Sequence, residues 1–195
     1  VPPSPTALSE AVTLLRSKTK PAIIVGHGAR TEMDRIVCLA EQLNAPVLTT
    51  FKAKGQISDH HPLGCGVLGR SGTPIASYFM NEADVLLVFG ASFSNHTGIT
   101  PKKPIIQVDL DRMHLGKSHG VQVPVMGEIG VTAKLFLNEL KGKHRSIDHT
   151  SEIAGRWRVW REEKASRLRD DRGGGVSSVA VFGSWLLYPS DAADD

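Results

Sequence analysis

The 195-residue sequence predicts an α/β fold, a parallel sheet with helices on both faces. Three observations predict it. The runs Pro21–Val25, Val85–Phe89 and Ile105–Asp109 are short and almost wholly apolar, as strands buried on both faces are. Each stops at a glycine or a polar residue: Gly26, Gly90 and Asp109. Segments with a helical apolar period alternate with these runs, and they are long enough to cross over to a parallel neighbour.

The elements follow in order. Residues 4–18 read as a helix, with Ser4 as its cap and Pro5 at the first helical position. Leu8, Ala11, Val12 and Leu15 make its single apolar stripe. Pro21–Val25 is a strand ending at Gly26-His-Gly28. Residues 31–43 form a second helix with Ile36, Leu39, Ala40 and Leu43 inward, and Pro46-Val-Leu-Thr49 is the next strand. A glycine-bearing loop spans residues 51–71. Thr73-Pro74 then opens a third helix that runs to Asn81. After the strands Val85–Phe89 and Ile105–Asp109, residues 121–125 form a short further strand. A last helix covers residues 127–140, with Val131, Leu135 and Leu137 among its apolar positions.

Beyond Lys141 the character changes. Residues 142–151 are polar and linker-like. Residues 152–170 are helical, with Trp157 and Trp160 three apart. Residues 172–182 read as a turn and the start of an apolar helix. Residues 183–195 have no period and resemble translated adapter sequence, so they are expected to be foreign to the gene. Three regions result: 1–141, 142–182 and 183–195.

Composition excludes several classes. Hydrophobic residues make up 41%, which is globular. No apolar run approaches the ~18 residues of a membrane helix. Val1-Pro-Pro-Ser-Pro5 lacks the pattern of a signal peptide and opens like a linker, so the chain is expected to begin inside a longer protein. Cys38 and Cys65 have no metal-type spacing, which predicts reduced thiols and a cytoplasmic setting. Residues 156–172 hold seven Lys/Arg and four Asp/Glu, and the difference of three equals the net charge of the whole chain, +3. Mixed signs on one helix mark a solvated face, and no aromatic-and-basic module points to nucleic acid.

Several residues are candidates for chemistry. Ligands of parallel α/β sheets bind beyond the carboxyl ends of the strands. Gly26 and Gly28 there allow close backbone approach to a ligand, and a following helix N-terminus favours a phosphate. The dinucleotide fingerprint is incomplete, because its third glycine is missing and Thr49-Thr50 stands where an acidic residue would meet a ribose. The alternative is a tight strand–helix turn with no ligand. Leu68-Gly-Arg-Ser-Gly-Thr-Pro74 leads into a helix in the same way, with Arg70 able to pair a phosphate and Thr73 able to cap. Gly90-Ala-Ser-Phe-Ser-Asn-His-Thr-Gly98 is rich in small polar donors. Asp109 is placed to bond ribose hydroxyls, or else loop amides. Asp109 with Asp111 lacks a third ligand for a metal, and His60-His61 reads as an exposed loop pair rather than a metal site. No Gly-x-Ser-x-Gly elbow, Lys-bearing phosphate loop or activated thiol is present, so the chain holds no self-sufficient catalytic constellation.

Taken in order, these segments resemble the central domain of thiamine-diphosphate-dependent enzymes, the group with acetolactate synthase and pyruvate oxidase. The matching residues are Lys20-Pro-Ala-Ile-Ile-Val-Gly-His-Gly28, Ala45-Pro-Val-Leu-Thr-Thr50, Gly55, Leu68-Gly69, Asn81-Glu-Ala-Asp-Val-Leu-Leu-Val-Phe-Gly90, Ile105-Ile-Gln-Val-Asp-Leu-Asp111 and Leu115-Gly116. They cover about residues 5–140, and residues 157–182 look like the lead-in to the family's third domain. The resemblance implies a Rossmann-like sheet of the DHS-like NAD/FAD-binding type. It also implies a parent that uses thiamine diphosphate and Mg2+ on a 2-oxo acid, as a homodimer or homotetramer, with catalytic and metal-binding residues outside this chain. In flavin-containing members this domain carries FAD, and the matching positions are Gly26, Gly28, Thr50, Phe51, Leu68, Gly69, Gly90 and Asp109. After Gly90 the chain reads Ala-Ser-Phe-Ser-Asn in place of the Arg-Phe-Asp-Asp of acetolactate synthases. That departure argues against that enzyme and against a flavin, and decarboxylase members keep the fold without one. Two other readings stand beside this one. The first is a stand-alone, non-catalytic module for FAD, NAD or ADP. The second is an NAD-consuming deacylase-like domain, for which His27 is the candidate histidine.

Overall fold

A computed structural model of the chain describes residues 1–92, 97, 102–143, 146–168, 178, 180 and 181. The described chain falls into two compact units, Val1–Ile153 and Ala154–Asp195.

The first unit is built on a six-stranded sheet in the order β3-β2-β1-β4-β5-β6, with every pairing parallel. The strands are β1 (Pro21–Val25), β2 (Val47–Thr49), β3 (Gly64–Val67), β4 (Val85–Phe89), β5 (Ile105–Asp109) and β6 (Val123–Met126). All residues of β1, β2, β3, β4 and β5 are buried, because helices cover both faces. β6 alternates buried and exposed, as an edge strand does.

The helices are α1 (Pro5–Arg16), α2 (Met33–Leu43), α3 (Pro74–Glu82), α4 (Ile129–Leu140) and α5 (Thr150–Leu168). The Ser4 hydroxyl caps α1 by accepting from the Ala7 amide, and Thr73 caps α3 by accepting from Ala76. Glu128 caps α4, its two carboxylate oxygens accepting from Gly130 and Val131, each at 2.8 Å. α2 packs on α4, α1 packs on α4 and on β6, and α3 packs on β2 and β3. The crossover through α2 runs from β1 to β2, while that through α3 runs back from β3 to β4. Right-handed connections therefore put α2 and α3 on opposite faces.

Three expectations change. β3 falls within the segment read as a loop. Its Gly64-Cys-Gly66 has little side chain to advertise a strand, yet its backbone pairs with β2. α2 starts at Met33 after a 3-10 turn at His27–Ala29, so a loop separates the glycines of β1 from the helix. On α4 the buried stripe is Ile129, Thr132, Ala133, Phe136 and Leu140, while Val131 is exposed and Leu135 and Leu137 are half-buried. α4 carries apolar residues around much of its circumference, so the packing of α1 and α2 chose the inner stripe.

In the second unit the Arg161 guanidinium lies over the Trp157 ring and the Lys164 ammonium over that of Trp160, at 5.1 and 4.9 Å from the ring centroids. The tail 183–195 lies outside the described residues, and so do residues 93–96 and most of 172–182. No helix among the described residues is long and apolar enough to cross a membrane.

Candidate functional site

The order β3-β2-β1-β4-β5-β6 reverses its direction between β1 and β4, and ligands of such sheets bind at that switch point beyond the strand ends. A cavity of about 750 Å3 lies there. Five strands supply its wall. Gly26, His27 and Gly28 follow β1, and Thr50, Phe51 and Lys52 follow β2. Leu68 to Gly72 follow β3, and Gly90 to Ser92 follow β4. Asp109 ends β5, and His114 comes from the 3-10 turn after it. All eight positions that the family resemblance implies thus border one space.

The sheet itself sets their positions, because the parallel ladder continues one residue past the strands. The Gly26 amide donates to Phe89 (2.8 Å), Thr50 to Val25 (2.9 Å), Leu68 to Thr49 (2.8 Å) and Gly90 to Val108 (3.0 Å). Each strand end is therefore held in register by its neighbour, and the wall needs no ligand to form. The absence of an acidic residue after β2 also has a local cause. Thr49 is buried, and its hydroxyl donates to the Gly66 carbonyl at 3.2 Å, closing the β2–β3 seam.

Gly26 and Gly90 also have a packing role. A Cβ on Gly26 would stand 2.1 Å from the Gly90 carbonyl oxygen, and one on Gly90 would stand 2.7 Å from the Ala29 nitrogen. The close approach that these glycines permit is to each other's loops. Gly90 also has φ +58°, a left-handed conformation that favours glycine. The expected phosphate site at the start of α2 does not join the cavity, whose wall stops at Gly28 on that loop. The α2 cap position is held by Glu32, whose side chain pairs with Arg35.

Asp109 is buried, and its Oδ1 accepts from the Asp111 amide at 2.9 Å. Among the described residues its Oδ2 accepts no hydrogen bond, which leaves lone pairs for a donor in the cavity. Asp109 is the acidic group of the wall, against the cationic side chains of Lys52 and Arg70. Phe51 is 72% exposed and also borders the cavity, an aromatic face free to stack on a planar ring.

The remaining candidates separate. His60 is exposed, but His61 is half-buried rather than exposed, with Nδ1 accepting from the Leu63 amide and Nε2 3.4 Å from Glu41 Oε1. No group of three His, Cys, Asp or Glu among the described residues is arranged to hold a metal. Lys52, Gln107 and His114 were not singled out from the sequence. Only Gln107 carried a signal there, as a polar residue inside an apolar strand run.

Residues 8–140 match the family model described as "Thiamine pyrophosphate enzyme, central domain". The chain is 37% identical over 143 residues to a probable acetolactate synthase large subunit of Methanococcus aeolicus, covering 70% of this chain and 23% of that protein. It is 32% identical over 128 residues to the acetolactate synthase isozyme 1 large subunit of Escherichia coli K12, covering 63% and 23%. With the acetolactate synthase large subunit of Cyanidium caldarium it shares 29% over 191 residues, covering 93% and 30%. The chain spans about a quarter of the length of the curated relatives it matches. These relatives carry the name against which the departure after Gly90 argued. The strand-end site, the sheet order and the family match converge: the chain belongs to the thiamine pyrophosphate enzyme family, as its central domain.

Proposed function

We propose that this chain serves as the central domain of a thiamine-diphosphate-dependent 2-oxo-acid enzyme of the acetolactate synthase type, and that its strand-end cavity binds a nucleotide, FAD in the first instance. The observation that carries the reading is Asp109, a buried carboxylate at the end of β5 with one oxygen left without a partner among the described residues, facing a wall that also bears Lys52, Arg70 and Phe51. Such a wall fits a nucleotide's parts. A carboxylate accepts from ribose hydroxyls, cations offset a diphosphate, and an exposed aromatic stacks on a planar ring. A cavity of about 750 Å3 lies within the range of about 300–1,000 Å3 for pockets that bury small ligands.

In this reading the chain's residues bind and orient, and the catalytic groups lie elsewhere in the parent. Thiamine diphosphate, when bound with Mg2+, supplies the stabilisation of the carbanion left after carbon dioxide departs. The chain alone is inactive, and the parent works as a cytoplasmic homodimer or homotetramer.

Titrating the chain with FAD, ADP and NAD, followed by calorimetry, tests the cavity assignment. FAD and ADP are expected to bind, and Asp109→Asn to weaken both about tenfold, the worth of one charge-assisted hydrogen bond. Preference for NAD over FAD would favour a stand-alone nucleotide module. Binding of none of the three would remove the nucleotide from the proposal.

A further inference from the structure

The 3-10 turn after β5 is built around a buried side chain. Gln107 has no solvent exposure, and its amide nitrogen donates to the carbonyls of Ala91 and His114, both at 3.0 Å, while Oε1 accepts from the Gly116 amide at 2.9 Å. Three bonds from one residue therefore fix the backbone of His114 against the loop that follows β4. So anchored, the His114 imidazole sits between two carboxylates, with Nδ1 3.4 Å from Asp109 Oδ1 and Nε2 3.6 Å from Asp111 Oδ2. Both His114 and Asp109 border the cavity.

We infer that His114 is a positioning residue of this site: it holds the Asp109 carboxylate through Oδ1, leaves Oδ2 for the ligand, and couples the site's affinity for an anionic nucleotide to its own protonation. The inference rests on the nucleotide reading of the cavity. A neutral imidazole brings no charge to the two carboxylates, whereas an imidazolium at 3.4 and 3.6 Å forms an ion pair with both. In that form the Asp109–His114–Asp111 group carries one negative charge rather than two, so a diphosphate meets less repulsion while Oδ2 still accepts from a ribose. Histidine side chains ordinarily change charge between about pH 5 and 8. The other charged and titratable groups that share the cavity wall are His27 after β1, Lys52 after β2 and Arg70 after β3, with Arg112 and Lys117 on the turn itself. His27 is the other histidine on that wall, so it is the competitor to separate.

The test is FAD binding by fluorescence quenching at pH 8 and pH 6, with the uncharged ligand adenosine in parallel. FAD suits it because its diphosphate diester keeps its two negative charges across this range. Affinity for FAD is expected to rise about threefold to tenfold on acidification, the size of one partly screened charge interaction, while adenosine shows a smaller change. His114→Gln is expected to flatten the FAD profile, and His27→Gln to leave the rise in place. Thermal melting of each variant shows that it is folded. A rise that survives in His114→Gln, or FAD bound with a flat profile in the parent chain, overturns the role of His114 alone. Failure of FAD to bind at either pH overturns the nucleotide reading and this inference with it.

Discussion

Gly26 and Gly90 interlock across the switch point of the sheet: a Cβ on Gly26 would stand 2.1 Å from the Gly90 carbonyl oxygen and 2.5 Å from Ala91 Cα. The Gly28 amide donates to that same oxygen at 3.0 Å. The two loops are one packed unit, and their glycines are required before any ligand arrives.

Alanine at Gly26 must therefore move backbone rather than a flexible side chain. Gly26→Ala is expected to cost about 3 kcal/mol, near the upper end for overpacking, and to lower the Tm by roughly 6–12 °C. Gly28→Ala, whose Cβ would meet Gly90 Cα at 3.1 Å, should cost at most about 1 kcal/mol. Thermal melts of both variants without ligand decide this. Equal, negligible effects would return the glycines to a ligand-only role.

Gln107 holds the turn of His114. Gln107→Leu preserves bulk but strands two carbonyls and an amide, and should destabilise by about 2 kcal/mol in urea titration. Hydrogen exchange at the Gly116 amide, which Gln107 Oε1 binds at 2.9 Å, should quicken in the folded state. Unchanged exchange would show that the turn stands without the clamp.

The two thiols should react on different schedules. Cys38 is exposed on α2, while Cys65 is buried in β3 and burial pushes its thiol pKa far up. The thiolate is the reactive form, so a disulfide reagent at pH 8 should modify one thiol per native chain and the second only on unfolding. Two fast thiols would contradict the placement of β3.

Asp148 accepts from the Thr150 amide and hydroxyl, and those bonds, the amide's first, hold its carboxyl below the usual aspartate range. A folded pKa below the unfolded one means that these bonds contribute fully above the ordinary aspartate value and are lost as pH falls through the lowered one. The NMR shift of the Thr150 amide should therefore titrate at a pH below the ordinary aspartate value, and Asp148→Asn should abolish that acid step. A titration at the unperturbed value would show that the bonds do not form in solution.

The strands β1, β4 and β5 were legible because a strand buried on both faces must be apolar along its length, and such runs cannot hide in a sequence. β3 was not, because Gly64 and Gly66 have no side chains and the strand is held by backbone pairing to β2. Gly26, Gly28, Gly90 and Asp109 were legible as strand-end residues. That Gly26 and Gly90 press on each other was not, because they lie 64 residues apart in sequence. His114 was silent for a different reason: Asp109 and Asp111 are near it in sequence, but the three acquire meaning together only when the turn folds back on β5.

Composition and periodicity were enough to determine the α/β class, the parallel sheet and the capped starts of α1 and α3, since burial and capping act locally on residue type. Only the tertiary structure decided the strand order, the inner stripe of α4 and the joining of five strand ends around one cavity. Those depend on which backbone groups meet across long stretches of chain, and hydrogen-bond register between distant strands has no local signature.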